Sequence, residues 1–349
     1  MAKHGKNKRV AWRRSIGVGT VALTVAACGG GSGDEEEAAS GGAFYEGKTI
    51  DLVVPYDAGG GYDVFSRTLA PYLGDCLGAQ MVVRNEPGAG GLVATNATAN
   101  ASPDELRIQI VNVGGTAAAQ IAEAEGAQLD LAELSWIGRL ANAPDVVTVS
   151  PGGEFASFED IIDASDPVRF VTTGPGSQES IAASVLSAAY GFPLELVSGF
   201  AGSGEARNAV IAGNADAHAL VYDSSLAAIE SGDVEPLVLV DDEPAEMLPD
   251  VPPVSEFEAP DAEGDALVES LIRLEQLGRA FTAPPGLPEE QLTELREGFQ
   301  CAVEDEELLA EYESQQRPVN ILSGEEFVEL LDEVLDPSPE FEAAIKESF

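Results

Sequence analysis

Apolar and polar residues follow one another along the chain in blocks that predict alternating strands and helices. Short apolar blocks rich in β-branched residues indicate buried strands, and longer blocks with an apolar residue every three or four positions indicate helices. The predicted strands are 50–54, 80–84, 107–113, 146–150, 169–172, 217–222 and 234–240. The predicted helices are 64–73, 92–100, 117–124, 180–190, 204–212, 289–303 and 324–334. Repeated strand–helix units predict an α/β fold with largely parallel sheets.

Glycine-rich loops separate several of these strands from the helices that follow. Four such loops are present, at 57–63, 88–91, 174–177 and 199–204. Glycine lets the backbone approach a ligand without a side chain in the way, and a following helix directs free N–H groups toward it. In open α/β sheets ligands bind beyond the carboxyl ends of the strands. Two early loops and two in the middle predict an anion-binding cleft between two lobes, with mere helix and turn capping as the alternative.

The first loop does not have the spacing of a dinucleotide site. The pattern G-x-G-x-x-G is missing there, although a strand precedes it and a helix follows. We therefore do not expect a nucleotide cofactor.

Charge is strongly unbalanced, with 18 Lys+Arg against 61 Asp+Glu and a formal net charge of −43. Nucleic acid is excluded as a partner, because binding it requires a basic face. Docking on an anionic membrane through surface charge is disfavoured for the same reason. Salt shortens the screening length to about 3 Å near 1 M and so relieves self-repulsion. We expect a saline (halophilic) environment, with an acidic secreted protein in ordinary salt as the alternative.

The N-terminus has the features of a bacterial lipoprotein signal. A basic segment, a small apolar segment and a lipobox ending at Cys28 follow one another. We expect residues 1–27 to be a signal peptide, Cys28 to carry the lipid, and 28–43 to be a flexible linker. The mature protein would then be extracytoplasmic and held at the cell membrane, on the cell surface or in the periplasm. An ordinary secretory signal with an incidental cysteine is the alternative, and export by the general or the twin-arginine route stays open.

Two further cysteines, Cys76 and Cys301, remain after removal of the signal. In an oxidising compartment such a pair forms a disulfide or stays as two buried thiols, and both possibilities are open.

Catalytic signatures are few. His218 is the only histidine outside the N-terminal 27 residues, and its apolar neighbours predict a packed strand residue. None of the patterns G-x-S-x-G, H-E-x-x-H or C-x-x-C occurs. We therefore expect no enzyme activity, no metal and no cofactor.

Seven motifs occur in a recognisable order from about Gly47 to the C-terminus. They are Val54–Asp63 with Arg67, Val82–Gly91, Thr173–Ser177, Phe200–Gly202, Gly213–Asp216, Leu248–Pro252 and Ala283–Pro288. In this order they resemble the tripartite tricarboxylate transporter receptor family, the Bug-type solute-binding proteins.

The resemblance implies a type II periplasmic-binding-protein fold with two α/β lobes, a ligand cleft and a hinge. Lobe 1 would comprise residues 44–142 and 278–349, and lobe 2 residues 143–277. As a monomer, the protein would bind a small organic carboxylate, such as a di- or tricarboxylate, and deliver it to the membrane subunits of a tripartite tricarboxylate-type transporter. A receptor for another transporter type and a lipid-anchored hydrolase are the alternatives.

The resemblance also implies that backbone N–H groups, small hydroxyls and ordered water hold the carboxylate. The expected ligand-binding residues are Tyr56, Ala58, Gly59, Gly60, Gly61, Tyr62, Asp63, Gly88, Gly90, Thr116, Gly174, Gly176, Ser177, Phe200, Gly202 and Asp223. Tyr62 stands where the family usually has a small residue, and Phe200–Gly202 replaces the usual Tyr-Lys-Gly. The identity of the acid therefore does not follow from the motifs.

Overall fold

A computed structural model describes residues 43–142, 144–200 and 202–349. The predicted signal peptide, the lipidation site Cys28 and all but the last residue of the predicted linker lie outside these ranges. The strands are β1 (Thr49–Val54), β2 (Gln80–Asn85), β3 (Arg107–Asn112), β4 (Ser135–Ala141), β5 (Asp145–Val149), β6 (Val168–Val171), β7 (Leu194–Val197), β8 (Ala217–Val221), β9 (Glu235–Leu239), β10 (Arg279–Ala283) and β11 (Leu322–Ser323). The helices are α1 (Gly61–Leu77), α2 (Leu92–Ala99), α3 (Val113–Ile121), α4 (Phe158–Ile162), α5 (Gln178–Tyr190), α6 (Ser203–Ile211), α7 (Tyr222–Glu230), α8 (Ala262–Gln276), α9 (Glu289–Val303), α10 (Glu306–Ser314), α11 (Gly324–Val334) and α12 (Pro339–Lys346).

The strands form two sheets. The first has the order β11-β4-β10-β3-β1-β2, and the second has the order β7-β6-β8-β5-β9. The chain passes from the first sheet to the second between β4 and β5. It returns after β9, so that β10 lies between β3 and β4. The polypeptide therefore connects the sheets twice.

Both sheets are mixed, so the prediction of largely parallel sheets is wrong. In the first sheet β1 runs parallel to β2 and β3, whereas β10 is antiparallel to β3 and β4. In the second, β6 is parallel to β7 and β8, whereas β5 is antiparallel to β8 and β9. Most of the antiparallel pairs arise because β5 and β10, the first strand after each connection, run against their neighbours in the sheet. Periodicity within one strand carries no information on this direction.

Local sequence signals account for several helix ends. Gly78 ends α1 and Gly191 ends α5, each in the left-handed region, with φ of 61° and 81°. Ser157 opens α4 and Ser323 opens α11 with reciprocal capping boxes. The predicted helix at 289–303 is confirmed as α9. By contrast, α3 begins at Val113, four residues before the predicted helix at 117–124, and so includes Gly114 and Gly115.

Apolar packing joins the elements into two large clusters of buried residues. One cluster contains residues of the first sheet and of helices α1 and α9, among them Leu69 and Phe299. The Cys76–Cys301 disulfide links these two helices, with a Cα–Cα distance of 6.1 Å. The other runs from α3 through α5 and α8 to α12 and so contains residues associated with both sheets. The boundaries of the two lobes remain a prediction. Helix α12, which belongs to the predicted lobe 1, contacts α3, α5 and α8.

Candidate functional site

A cavity of about 560 Å³ lies where the glycine loops of the two sheets meet. Its wall contains residues that follow β1 and β6, residues at the ends of β3 and β8, and the first residue of β10. The volume is within the range of small-molecule sites, about 300–1,000 Å³. Strand ends of both sheets therefore open onto one space, as expected for ligand sites in α/β folds.

Gly60 and Gly61 form the part of the wall at the N-terminus of α1. Gly60 is the N-cap of this 17-residue helix and has an extended backbone with φ −78° and ψ 172°. A Cβ added to Gly60 would meet only the carbonyl oxygen of Asp57, at 3.7 Å. The backbone here needs no left-handed residue, so the glycine at 60 leaves space in the cavity rather than relieving strain.

Asp63 lies behind this loop and holds it in place. It is 3% exposed, and its carboxylate accepts hydrogen bonds from the Gly59 N–H at 2.8 Å, from Arg67 Nε at 2.9 Å and from Asn85 Nδ2 at 2.9 Å. Burial alone would raise the pKa of Asp63, but the hydrogen bonds from Arg67, Gly59 and Asn85 lower it overall. The carboxylate of Asp63 therefore stays ionised and holds the glycine loop in place.

Glu179 lies in the first turn of α5, beside the second sheet, and so corresponds to Asp63 in the first turn of α1. It lines the cavity, and its carboxylate accepts hydrogen bonds from Thr173 Oγ1 at 2.8 Å and from Ser203 Oγ at 2.7 Å. His218 Nε2 lies 3.7 Å away. Burial opposes ionisation, but the neighbouring His218 imidazole and the hydrogen bonds from Ser203 and Thr173 prevail and lower the pKa of Glu179 to about 2. Glu179 therefore ties together the two glycine loops of the second sheet.

Two tyrosines form an aromatic wall beside the first loop. The rings of Tyr56 and Tyr62 lie 4.7 Å apart between centroids. The Tyr56 hydroxyl donates to the Gly90 carbonyl at 2.9 Å and accepts from Asn112 Nδ2 at 3.0 Å. Burial raises the pKa of Tyr56 to about 12, so the phenol stays neutral and the contacts fix the ring.

A buried acidic pair lies on the other side of Tyr62. Gln178 Nε2 donates to Asp145 Oδ1 at 3.0 Å and to Glu275 Oε2 at 2.6 Å. Burial raises the pKa of Glu275 to about 8 and raises the pKa of Asp145 well above its usual range. Burial therefore favours the protonated, uncharged form of both carboxyl groups.

Ten of the predicted ligand-binding residues line the cavity. They are Tyr56, Ala58, Gly60, Gly61, Tyr62, Gly90, Gly174, Gly176, Ser177 and Gly202. Six do not line it, namely Gly59, Asp63, Gly88, Thr116, Phe200 and Asp223.

The six have other contacts. The Gly59 N–H is engaged by Asp63, and a Cβ on Gly88 would lie 2.9 Å from Val93 Cγ2. Thr116 is buried within α3 and donates from Oγ1 to the carbonyl of Asn112 at 2.7 Å. Phe200 packs against the small cluster that contains Val171 and Val210. Asp223 forms buried ion pairs with Arg279 and Arg317, at 3.2 and 3.3 Å.

Sequence reasoning missed several polar residues in the cavity wall, chiefly Asn112, Gln178, Glu179, Ser203 and Arg279. Gln178 and Glu179 directly follow the predicted loop residue Ser177, so the first turn of the helix was a usable signal. No local signal pointed to Arg279, because only the antiparallel pairing of β10 with β3 brings this residue opposite Asn112.

Other chemistries have little support in the described ranges. Among residues 43–142, 144–200 and 202–349, no group of three or more His, Cys, Asp or Glu side chains is arranged to hold a metal ion. In the same part of the chain, no helix has the length and apolar character needed to cross a membrane. The spacing G-x-x-x-x-G-K-[ST] does occur at 42–49, but Thr49 begins β1 instead of a helix, which is the reverse of a phosphate-binding P-loop.

Two α/β sheets connected twice, with glycine loops of both around one cavity, define the class of two-lobed solute-binding proteins. Residues 65–315 match the model of the tripartite tricarboxylate transporter family receptor. The chain therefore belongs to this family.

Relatives and solved structures agree with this assignment. A UPF0065 protein from the TAR-I ttuE-ttuC' intergenic region of Agrobacterium vitis is 26% identical over 274 residues, which are 77% of this chain and 75% of the relative. MatC from Rhodopseudomonas palustris, with bound malate, superposes with a TM-score of 0.68 at 20% identity, over 85% of this chain and 99% of that chain. A second R. palustris protein, with adipate, gives a TM-score of 0.67 at 18% identity, over 83% and 94%. The predicted family and the periplasmic-binding-protein fold are confirmed.

Proposed function

We propose that this protein is an extracytoplasmic receptor that binds a small organic carboxylate in the 560 Å³ cavity and delivers it to a tripartite tricarboxylate-type transporter. The observation that carries the proposal is the convergence of glycine loops from both sheets on that cavity. Gly60 and Gly61 lie at the N-terminus of α1 on one side, and Gly174 and Gly176 precede α5 on the other. The N-terminus of α1, next to the first sheet, and the N-terminus of α5, next to the second, thus face the same cavity.

Short-range contacts have to supply the affinity, because the chain has a formal net charge of −43 and repels anions at long range. Hydrogen bonds to a charged group contribute roughly 1.5–3 kcal/mol each. A helix N-terminus adds roughly 0.3–1 kcal/mol. Three or four such contacts in a dry cleft outweigh a screened background repulsion.

The class of ligand is supported by the acids in the related structures. Malate is bound in MatC and adipate in the second R. palustris protein, and both acids carry two carboxylates. We infer that a di- or tricarboxylate or a related acid is the ligand here. Movement of the lobes around the acid would then present a new surface to the membrane subunits of the transporter.

Anchoring and environment belong to the same proposal. We propose that Cys28 is lipidated after removal of residues 1–27, so that a linker holds a monomeric receptor at the cell membrane. The acidic composition supports a saline setting, in which screening makes the approach of an anion possible. We further propose that the protein is not an enzyme, which the receptor role of the family supports.

A thermal-shift screen tests the proposed function. Mono-, di- and tricarboxylates and aromatic acids are each compared with the corresponding primary amide at 1 M salt. We expect at least one acid to raise the melting temperature in a saturable way and its amide to leave it unchanged. Equal shifts by acids and amides, or consumption of the acid detected by mass spectrometry, would contradict a carboxylate receptor.

A further inference from the structure

Arg279 is a buried cation in the wall of the cavity. It is the first residue of β10, its side chain is 5% exposed, and it lines both the large cavity and a smaller one behind it. Tyr62, Asn112 and Gln178 line the same two spaces. Arg279 therefore lies in the part of the wall that the large cavity shares with the smaller one.

The hydrogen-bonding capacity of this side chain is largely unused within the described ranges. A guanidinium group has five N–H donors. Among the residues that the structure describes, only Nη2 donates to a protein group, Asp223 Oδ1 at 3.4 Å, and the buried Nε has no hydrogen-bond partner. The aromatic rings of Tyr62 and Phe65 lie 5.2 and 5.0 Å from the guanidinium carbon and hold the group by cation–π contact. The group is thus fixed in position but only partly bonded.

The charge of Arg279 is also incompletely balanced. Asp223 is shared with Arg317, whose Nη1 lies 3.3 Å from Oδ2, so one carboxylate faces two guanidinium groups. Burial favours the uncharged form of the nearby Asp145 and Glu275, which weakens any compensation of the second cation by these two groups. Glu179 keeps its charge, but its carboxylate contacts Thr173 and Ser203, and Asp223 is the acidic residue that pairs with Arg279. An unbalanced buried cation is costly unless an anion reaches it.

We propose that Arg279 binds the second carboxylate of a dicarboxylic acid whose first carboxylate lies at the Gly60–Gly61 loop. The proposal rests on the proposed function and deepens it, because it names the residue that selects diacids over monoacids. A carboxylate beside Arg279 would satisfy Nε and balance the second cation, and charge-assisted contacts of this kind are the strong ones.

The first experiment uses the wild-type protein, so that it does not depend on the folding of a variant. Straight-chain diacids of three to six carbons and phthalate are titrated calorimetrically, each alongside its half-amide, which has the same shape with one carboxylate. We expect the best diacid to bind at least about 10-fold more tightly than its half-amide. Equal affinity of the two overturns the role of Arg279 even though acid binding, and with it the proposed function, stands. If no acid binds, both the proposed function and this inference fail.

The second experiment assigns the selectivity to Arg279 by comparing Arg279→Gln with Arg317→Gln. Both variants remove one cation that faces Asp223, and each leaves Asp223 with the other arginine as partner, but only Arg279 lines the cavity. Arg279→Gln should lower the ratio of diacid to half-amide affinity by roughly 10-fold or more. Arg317→Gln should keep that ratio within about 3-fold of wild type, because the contacting donor remains.

A third variant, Arg279→Lys, retains the charge without the forked donor geometry and should recover part of the selectivity. It is informative if Arg279→Gln does not fold. An equal fall of the ratio in the Arg279 and Arg317 variants would assign the effect to the net charge around Asp223 and overturn the proposed contact. An unchanged ratio of diacid to half-amide affinity in both Arg279 variants would also overturn the proposed contact.

Discussion

The backbone N–H of Gly59 donates a hydrogen bond of 2.8 Å to the carboxylate of Asp63, one turn into α1. This contact closes the glycine loop on the helix that follows it. Arg67 and Asn85 bond the same carboxylate, so the loop is joined to α1 and to the end of β2. The neighbouring Gly60 and Gly61 are thereby held in the cavity wall.

We expect Asp63→Asn to loosen the loop. The amide keeps the shape of the side chain but loses the charge that Arg67 and the Gly59 N–H bind. The free energy of unfolding should fall by about 1–3 kcal/mol, and acid affinity should fall several-fold. Denaturant unfolding and calorimetric titration measure the two effects. Asp75→Asn, an exposed change in the same helix, is the control and should alter neither. Equal behaviour of the two variants would show that Asp63 does not brace the site.

Stability should depend on pH in a direction set by the buried acids. The pKa of Glu275 is raised to about 8, so the native state retains a proton that the unfolded chain releases above about pH 4.5. The free energy of unfolding should therefore fall as pH rises from about 5 to about 8, by up to about 1.4 kcal/mol per pH unit for one group. Asp145, with its pKa also raised, acts in the same direction. Glu179, with its pKa lowered to about 2, acts oppositely and removes stability as pH falls below about 4.5.

Glu275→Gln separates this effect from general charge repulsion. Glutamine resembles the protonated acid, so the variant should lose part of the decline between pH 5 and pH 8 measured by urea unfolding. Glu329→Gln removes the same charge from an exposed position on α11 and should keep the wild-type slope. Parallel curves for wild type and Glu275→Gln would rule out Glu275 as the source of the slope.

The extent to which the sequence predicts this molecule differs between elements and side chains. The loop at 57–63 was predictable because an apolar strand, glycines and a helix are adjacent in the chain. β10, in the middle of the first sheet, was not, because Arg279–Ala283 is short and its partners β3 and β4 are far away in sequence. Arg279 could not be placed beside Tyr62 for the same reason. Asp63 and Thr116 were identified as polar residues in the right segments, but their side-chain directions depend on Arg67, Asn85 and Asn112.

Salt should stabilise the protein. A formal net charge of −43 produces self-repulsion in the compact state, and screening to about 3 Å near 1 M salt removes most of it. We expect the melting temperature to rise by several degrees between about 0.05 and 1 M sodium chloride at pH 7. The same titration near pH 4 should give a smaller rise, because many carboxylates are then protonated. A melting temperature that stays flat across this range at pH 7 would contradict the proposed saline adaptation.

Carboxylate binding at the first loop depends most on Gly60, whose backbone accepts any residue and whose absent side chain leaves room at the N-terminus of α1. Titration calorimetry of the acid found in the screen against wild type, Gly60→Ala and Gly60→Val measures its role directly. All three proteins should unfold at similar temperatures without ligand. We predict one acid per wild-type molecule, weaker binding to Gly60→Ala and no measurable binding to Gly60→Val. Equal affinities for the three proteins would contradict a carboxylate site at this loop.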